Sequence, residues 1–425
     1  MTETAEGGSP PSPPGDGRTD APRPEGEATS WVRRGLVIAA TVAIGAYVSL
    51  PTLVVIAALI FMIFMHELGH YLTAKAAGMK VTEFFIGFGP RLWSFRRGET
   101  EYGFKAIPAG AYVRIIGMSN LEEIDPAEED RTYRQKSYRQ RMSVALAGST
   151  MHFLMAIALA FTVLSVVGTP DVDSARWSVG AVGEDTAAAA AGLEVGDRVL
   201  AVDGQRFESF QALSAYLREH PGDKVTLLVD RDGQELRLQT TLGTRTDGGE
   251  EIGFLGVAAE FPSRRVGPVT GLVDSAKLTG QTMWLSIEGL KAFFSPAGVS
   301  GYVDTLTGSA PAAAPGEIEG ENRLLSPVGA VRIASDAAST SLVAVLQFMF
   351  AINVFVGVFN LVPLLPFDGG HVAIATYERI RSRKGRRYFA DVGKLMPLTY
   401  AVVALLILVG LTALYLDLVD PISLR

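Results

Sequence analysis

Pro51-Thr-Leu-Val-Val-Ile-Ala-Ala-Leu-Ile-Phe-Met-Ile-Phe-Met65 runs without a charge straight into His66-Glu67-Leu68-Gly69-His70. On a helix, positions four apart lie about 40° from each other around the axis, so both imidazoles face one way and can share a metal ion. Glu67 between them is placed to activate a water as general base. Ionisable groups that end such an apolar run stand in or at the edge of a bilayer, where they are costly and usually functional. The plain alternative makes His66 and His70 satisfied polar residues of a helical bundle. Burying two His and a Glu in lipid for packing alone is expensive, so the stretch reads as a hydrolytic metal site in a membrane.

At 425 residues the chain has room for two or three units, and 48% apolar composition suits a membrane protein with a water-soluble part. The absence of cysteine excludes disulfides, Cys-zinc sites and thiol nucleophiles. Residues 1–30 are rich in Pro, Gly, Ser, Thr and Glu, a composition expected of a disordered tail. Arg33-Arg34 follows that polar stretch, so the apolar segment after it reads as an anchor and not a cleaved signal.

Four apolar blocks have the length to cross a bilayer or nearly so. The region from Gly35 to Ala77 is too long for one span, and Pro51 divides it. Two antiparallel spans are the preferred reading, one long kinked helix the rival. Val144–Val167, Ser341–Leu361 and Pro397–Leu416 supply the others. Arg131, Arg134, Lys136, Arg139 and Arg141 crowd the approach to residue 144, and Arg379, Arg381, Arg383, Lys384, Arg386 and Arg387 precede the last block. Both clusters are expected on the cytoplasmic side. Residues 171–340 then fall outside, where 14 basic against 24 acidic side chains leave a net of −10.

In that outer region, Gly192 and Gly196 permit tight turns, Arg198–Val202 alternates as a strand, and Asp203-Gly204 signals a turn. Phe210–Leu217 reads as a short amphipathic helix and Lys224–Val229 as a strand ending at Asp232-Gly233. The run 177–243 resembles a PDZ domain, which implies either peptide capture by strand addition or a spacer that binds nothing tightly. Residues 244–340 are expected as an extracytoplasmic linker with an amphipathic stretch near 270–294 and a loose Ala/Pro/Gly segment at 308–320.

Two histidines do not complete a catalytic zinc site, which takes three protein ligands and one open position. Asn360-Leu-Val-Pro-Leu-Leu-Pro-Phe-Asp-Gly-Gly-His371 closes the penultimate block. Pro363, Pro366, Gly369 and Gly370 cannot continue a regular helix, so the backbone must open around Asp368, as it does only where a watery cavity is lined. Asp368 is the third ligand on this reading, in preference to a helix-capping role.

These motifs, with a PDZ-like insert between them, resemble the site-2 intramembrane metalloproteases over roughly residues 52–420. The resemblance implies Zn2+ held by His66, His70 and Asp368, with Glu67 activating the water and Asn360 holding the substrate backbone. Phe85–Ser94 and Ile107–Gly117 look like the family's cytoplasm-facing β-hairpin loops, where an extended edge can receive an unwound substrate. Ala147-Gly-Ser-Thr-Met-His152 departs from the Ala-Gly-Pro-x-x-Asn of many relatives, and His152 is expected to make a polar helix contact. His371 is expected no closer than the second layer around the metal, and His220 on the surface.

The expected fold is therefore a polytopic α-helical membrane protein with a cytoplasm-facing β-hairpin region (78–142) and an extracytoplasmic PDZ-like α+β domain. The expected function is that of a multi-pass cell-membrane zinc endopeptidase acting in regulated intramembrane proteolysis. By resemblance, its partners are the bilayer and single-span substrates such as pre-trimmed anti-sigma factors or signal-peptide remnants, not nucleic acid. The rivals are a zincin with a distal Glu ligand, for which no later apolar span offers a well-placed Glu, and a non-catalytic PDZ-bearing scaffold, which has no use for the four site residues.

Overall fold

The computed structural model describes residues 49–118, 122–172, 174–247, 250–309, 324–382 and 387–419. The expected tail at 1–30, the apolar segment 35–48, most of the loose segment at 308–320 and part of the second basic cluster lie outside them. Helix α1 spans Leu50–Ala76. Ser49 is extended and its hydroxyl accepts from the Thr52 amide, so it caps the start of the helix. Such a cap contributes about 1 kcal/mol. Gly78, at φ +66°, ends α1: the Met79 amide returns to the Ala74 carbonyl at 2.9 Å, a closure that favours a residue without Cβ.

Two long bent strands follow, β1 (Val81–Arg97) and β2 (Thr100–Ile115). Their double register, with Phe84 opposite both Val113 and Tyr102, makes a sheet of four arms in the order 91–97, 100–107, 83–88, 111–115. The stretches expected as hairpin loops are these strands, and Phe85 stands opposite Tyr112. The chain then enters α2 (Tyr138–Phe161) through a reciprocal capping box between Ser137 and Gln140, and α2 runs on as a π-helical turn over Thr162–Val167.

A β-rich body comes next: β3 (Thr169–Pro170), β4 (Ser178–Val182), α3 (Ala187–Ala191), β5 (Arg198–Val202), β6 (Gln205–Arg206), α4 (Phe210–Arg218), β7 (Lys224–Arg231) and β8 (Gln234–Thr241). Its main sheet has the antiparallel order β6-β5-β7-β8. Asp203-Gly204 and Asp232-Gly233, all four at positive φ, close the two hairpins as their residue types predict. The hairpin β9 (Gly243–Asp247) and β10 (Glu250–Phe254), then β11 (Val257–Glu260) and β12 (Ser263–Arg264), complete it. The body runs past residue 243, because β11 pairs with β4 and Leu255 joins the core of Trp177, Val199, Leu213 and Leu227. Each fully buried aliphatic side chain there contributes about 1.5–3 kcal/mol.

The region expected as an outer linker is largely helical and packs on the membrane helices. Helix α5 (Pro268–Phe293) sets Gly271, Ser275 and Thr279 inward, and lower down Met283, Ile287 and Leu290 against Ala156, Ala160, Val354 and Val358. In α6 (Pro296–Thr307) the Tyr302 hydroxyl meets Thr412 at 2.7 Å, and in α7 (Pro327–Thr340) Ser335 meets Thr52 at 2.7 Å. Periodicity alone did not reveal this, since small and hydroxyl side chains form much of the buried stripe; between apolar helices such residues allow close approach and share hydrogen bonds.

Helix α8 covers Leu342–Phe359, an irregular turn follows, and α9 (Asp368–Arg381) restarts the helix. Helix α10 spans Met396–Val419. Among the described residues, α1, α2, α8 and α10 are each long and apolar enough to cross a membrane. Their outward faces carry exposed Val54, Phe61, Leu154, Phe355, Leu405, Leu408 and Leu411, a surface that suits lipid and not water. The protein is a multi-pass membrane protein.

Candidate metal centre

The site lies where α1, α2 and the start of α9 meet. Its geometry depends on small residues. A Cβ on Gly69 would lie 2.8 Å from the Ala147 carbonyl oxygen, and one on Gly148 would lie 2.2 Å from Cε1 of His66. The glycines therefore let α1 and α2 approach until the His66 ring rests on the α2 backbone. The small-residue run Ala147-Gly148-Ser149 carried this signal, which the motif comparison treated only as a departure from relatives.

The turn 360–367 brings the third group back. The Gly369 amide donates to the Asn360 carbonyl at 2.8 Å, and a Cβ on Gly369 would lie 2.3 Å from the carbonyl oxygens of Leu361 and Val362. Only glycine fits so tight a return, and it sets Asp368 in the first turn of α9. Phe367 holds the capping position there, with no side-chain cap bond among the described residues.

Three donor atoms converge. His66 Nε2 and His70 Nε2 are 3.1 Å apart, and Asp368 Oδ2 lies 3.4 Å from the first and 3.2 Å from the second. Ligands about 2.0–2.1 Å from a tetrahedral zinc stand about 3.3–3.4 Å from one another, so the spacing fits that ion. His66 and His70 are buried, and Asp368 Oδ2 is buried without a hydrogen bond among the described residues. A carboxylate oxygen left thus is costly unless a cation meets it. His70 Nδ1 lies 2.8 Å from the Val144 carbonyl oxygen. That partner requires the proton on Nδ1 and leaves the Nε2 lone pair toward the centre.

Glu67 sits beside the cluster, its carboxylate against the backbone amide of Val113 in the outermost arm of the β-sheet. Sequence reading had no means of finding this contact, which depends on how β2 bends. Asn360 is only partly buried at the end of α8, and its side-chain amide makes no hydrogen bond among the described residues. His152 is 1% exposed; its ring centre is 5.1 Å from that of His66, and its Nδ1 lies 3.1 Å from Oδ1 of Asn353 on α8. It makes the polar helix contact expected of it. His371 stacks edge-on with Tyr133, and His220 caps α4 through the Tyr216 carbonyl at 2.7 Å, partly buried and not merely on the surface.

Two imidazoles and a carboxylate at zinc spacing, among helices with an apolar exterior, define a membrane metallohydrolase. A family model described as peptidase family M50 matches residues 54–406, and the chain belongs to that family, the site-2 type of zinc metalloprotease. It is similar to zinc metalloprotease Rip1 of Mycobacterium tuberculosis, 35% identical over 406 residues that cover 86% of this chain and 96% of that one. It is also similar to Rip1 of Mycolicibacterium smegmatis, 34% identical over 86% of this chain and 97% of the relative. A putative zinc metalloprotease of Agrobacterium fabrum, Atu1380, is 29% identical over 82% of this chain and 90% of its own length. The chain is a zinc metalloendopeptidase, and its cofactor is Zn2+.

Proposed function

We propose that this protein cleaves the membrane segments of single-span proteins, with His66, His70 and Asp368 holding the zinc. The observation that carries the reading is the tetrahedral spacing of those three donors between lipid-facing helices. Bound there, zinc supplies Lewis-acid polarisation and makes water acidic enough to attack at neutral pH. Glu67, on the same helix turn, takes the proton of the attacking water and returns it to the leaving amide nitrogen. Asn360, with an unengaged amide beside the Asp368 turn, holds the substrate backbone.

A peptide bond inside a helix is shielded by its own hydrogen bonds, so the substrate must first be drawn out as a strand. The outer sheet arm at 111–115 supports this role: its Val113 amide points toward Glu67, so an unwound segment pairing with that edge lies along the catalytic carboxylate. The β-rich body at 177–261 lies where a PDZ-like domain is expected, and its antiparallel sheet β6-β5-β7-β8 with its own core supports reading it as a gating module. On the outer side of the membrane it excludes substrates whose outer part is still bulky. Anti-sigma factors trimmed outside the membrane and signal-peptide remnants fit this filter.

The test is cleavage of a tagged single-span protein by the full-length enzyme in lipid vesicles, with the outer domain of the substrate intact or removed. The product masses should place the cut within the apolar segment, and only in the trimmed substrate. A cut in water-exposed sequence would overturn the intramembrane reading, and equal cutting of both substrates would overturn the filter.

A further inference from the structure

Two cavities away from the metal donors meet at one membrane end. The first, 210 Å³, lies between the start of α2, the end of α9 and residues 387–389. Arg134, Lys136, Arg141, Arg379 and Arg387 line it, facing Glu378 as the single carboxylate among its described lining residues. Glu378 is already satisfied: one oxygen accepts from Arg141 at 2.5 Å and the other from the Ala390 amide at 2.7 Å. Arg134 is held by Glu129, and Arg387 donates to Gln135. Lys136 and Arg379 have no carboxylate partner among the described residues. Arg141 is buried, yet its Nε has no hydrogen-bond acceptor among the described residues. A cavity lined by five cationic side chains against one carboxylate calls for an anion.

The second cavity, 400 Å³, adjoins the first, and Tyr388 forms part of both walls. It is lined mainly by apolar groups, including Leu364, Leu365, Ile374, Leu395 and Leu398, with Lys394 and Asp391 among its few charges. Tyr138 and Val392 are the ends of two membrane spans, so the pair of cavities sits at headgroup depth. A free phosphate has no use for the apolar half, and an apolar ligand has none for the basic half. Basic pockets between helices at a membrane surface suit anionic lipid headgroups.

We propose that the two cavities form one site for an anionic phospholipid, its phosphate among Lys136, Arg141 and Arg379 and an acyl chain in the apolar cavity. Leu364 and Leu365 belong to the turn that positions Asp368, and Gly370 to the first turn of α9, so the bound chain packs against the support of the metal centre.

The test uses the full-length enzyme in detergent, with retained lipid counted by native mass spectrometry. Phosphatidylglycerol and phosphatidylcholine are offered in turn, with inorganic phosphate as competitor, and zinc content reports an intact fold. Wild type should retain one phosphatidylglycerol with a preference of about tenfold or more over phosphatidylcholine. Lys136→Glu with Arg379→Glu should abolish that preference while leaving the Arg141–Glu378 pair in place. Ala373→Phe, which fills the apolar cavity, should lose the lipid yet still take inorganic phosphate. Equal retention of both lipids would overturn the proposal, as would phosphatidylglycerol retention that survives both changes. Full displacement by inorganic phosphate, with no effect of Ala373→Phe, would show a free-anion site and overturn it too.

Discussion

The Val144 carbonyl oxygen on α2 lies 2.8 Å from Nδ1 of His70 on α1, so a helix-helix contact also fixes which nitrogen of His70 faces the metal donors. The bond ties the ring orientation of His70 to the packing of α1 against α2. Backbone carbonyls cannot be replaced by mutation, so the consequences are best read through the side chains around this contact.

Gly148→Ala should displace the His66 ring, because its added Cβ would meet Cε1 at 2.2 Å. Zinc retention against a chelator should fall about tenfold or more, in the range seen when a ligand loses its support. Gly410→Ala, on open helix surface with nothing within 4 Å, is the control and should change nothing.

Asp368→Ala should weaken zinc retention further, leaving two imidazoles to hold the ion. Metal content after dialysis against a chelator checks it, and undiminished zinc would refute the ligand assignment. The motif at 66–70 and the turn before Asp368 were both legible in sequence because each has a fixed local geometry: helical spacing in one, helix-breaking Pro and Gly in the other. What sequence could not supply was the distance between them, which depends on Gly69 and Gly148 letting α1 and α2 close up.

His152→Ala should leave zinc content unchanged and lower stability by about 1–3 kcal/mol, since Asn353 loses the ring nitrogen that meets its Oδ1 at 3.1 Å. His152→Asn, which restores the residue type of many relatives, should recover most of the loss. Thermal unfolding beside metal analysis separates this role from metal binding. Here the sequence named the contact type but not the partner, which comes from α8, two hundred residues later.

In the β-rich body, Asp197 is buried and takes both oxygens to Arg231 at 2.7 Å, and this bond holds its carboxyl below the usual carboxylate range. An acid with a lowered folded-state pKa stabilises the fold above its unfolded value of about 3.9, and the contribution is lost as pH falls through the lower folded value. Thermal scans should therefore show stability falling below about pH 4. Asp197→Asn should flatten that dependence and lower the melting temperature at pH 7. An unchanged pH profile would contradict the assignment. The hairpins around this pair were plain in sequence from Asp-Gly turns and alternation. The closing strand β11 was not, because Val257–Glu260 is short and follows an unrelated hairpin.

The central claim is that Glu67 does chemistry at a zinc it does not hold. Zinc content and cleavage of a trimmed single-span substrate, measured together on wild type and Glu67→Gln, test it most directly. The account predicts about one zinc per chain in both proteins and a loss of cleavage of about a hundredfold or more in Glu67→Gln. Comparable cleavage by the two proteins, or zinc lost along with the carboxylate, would contradict it.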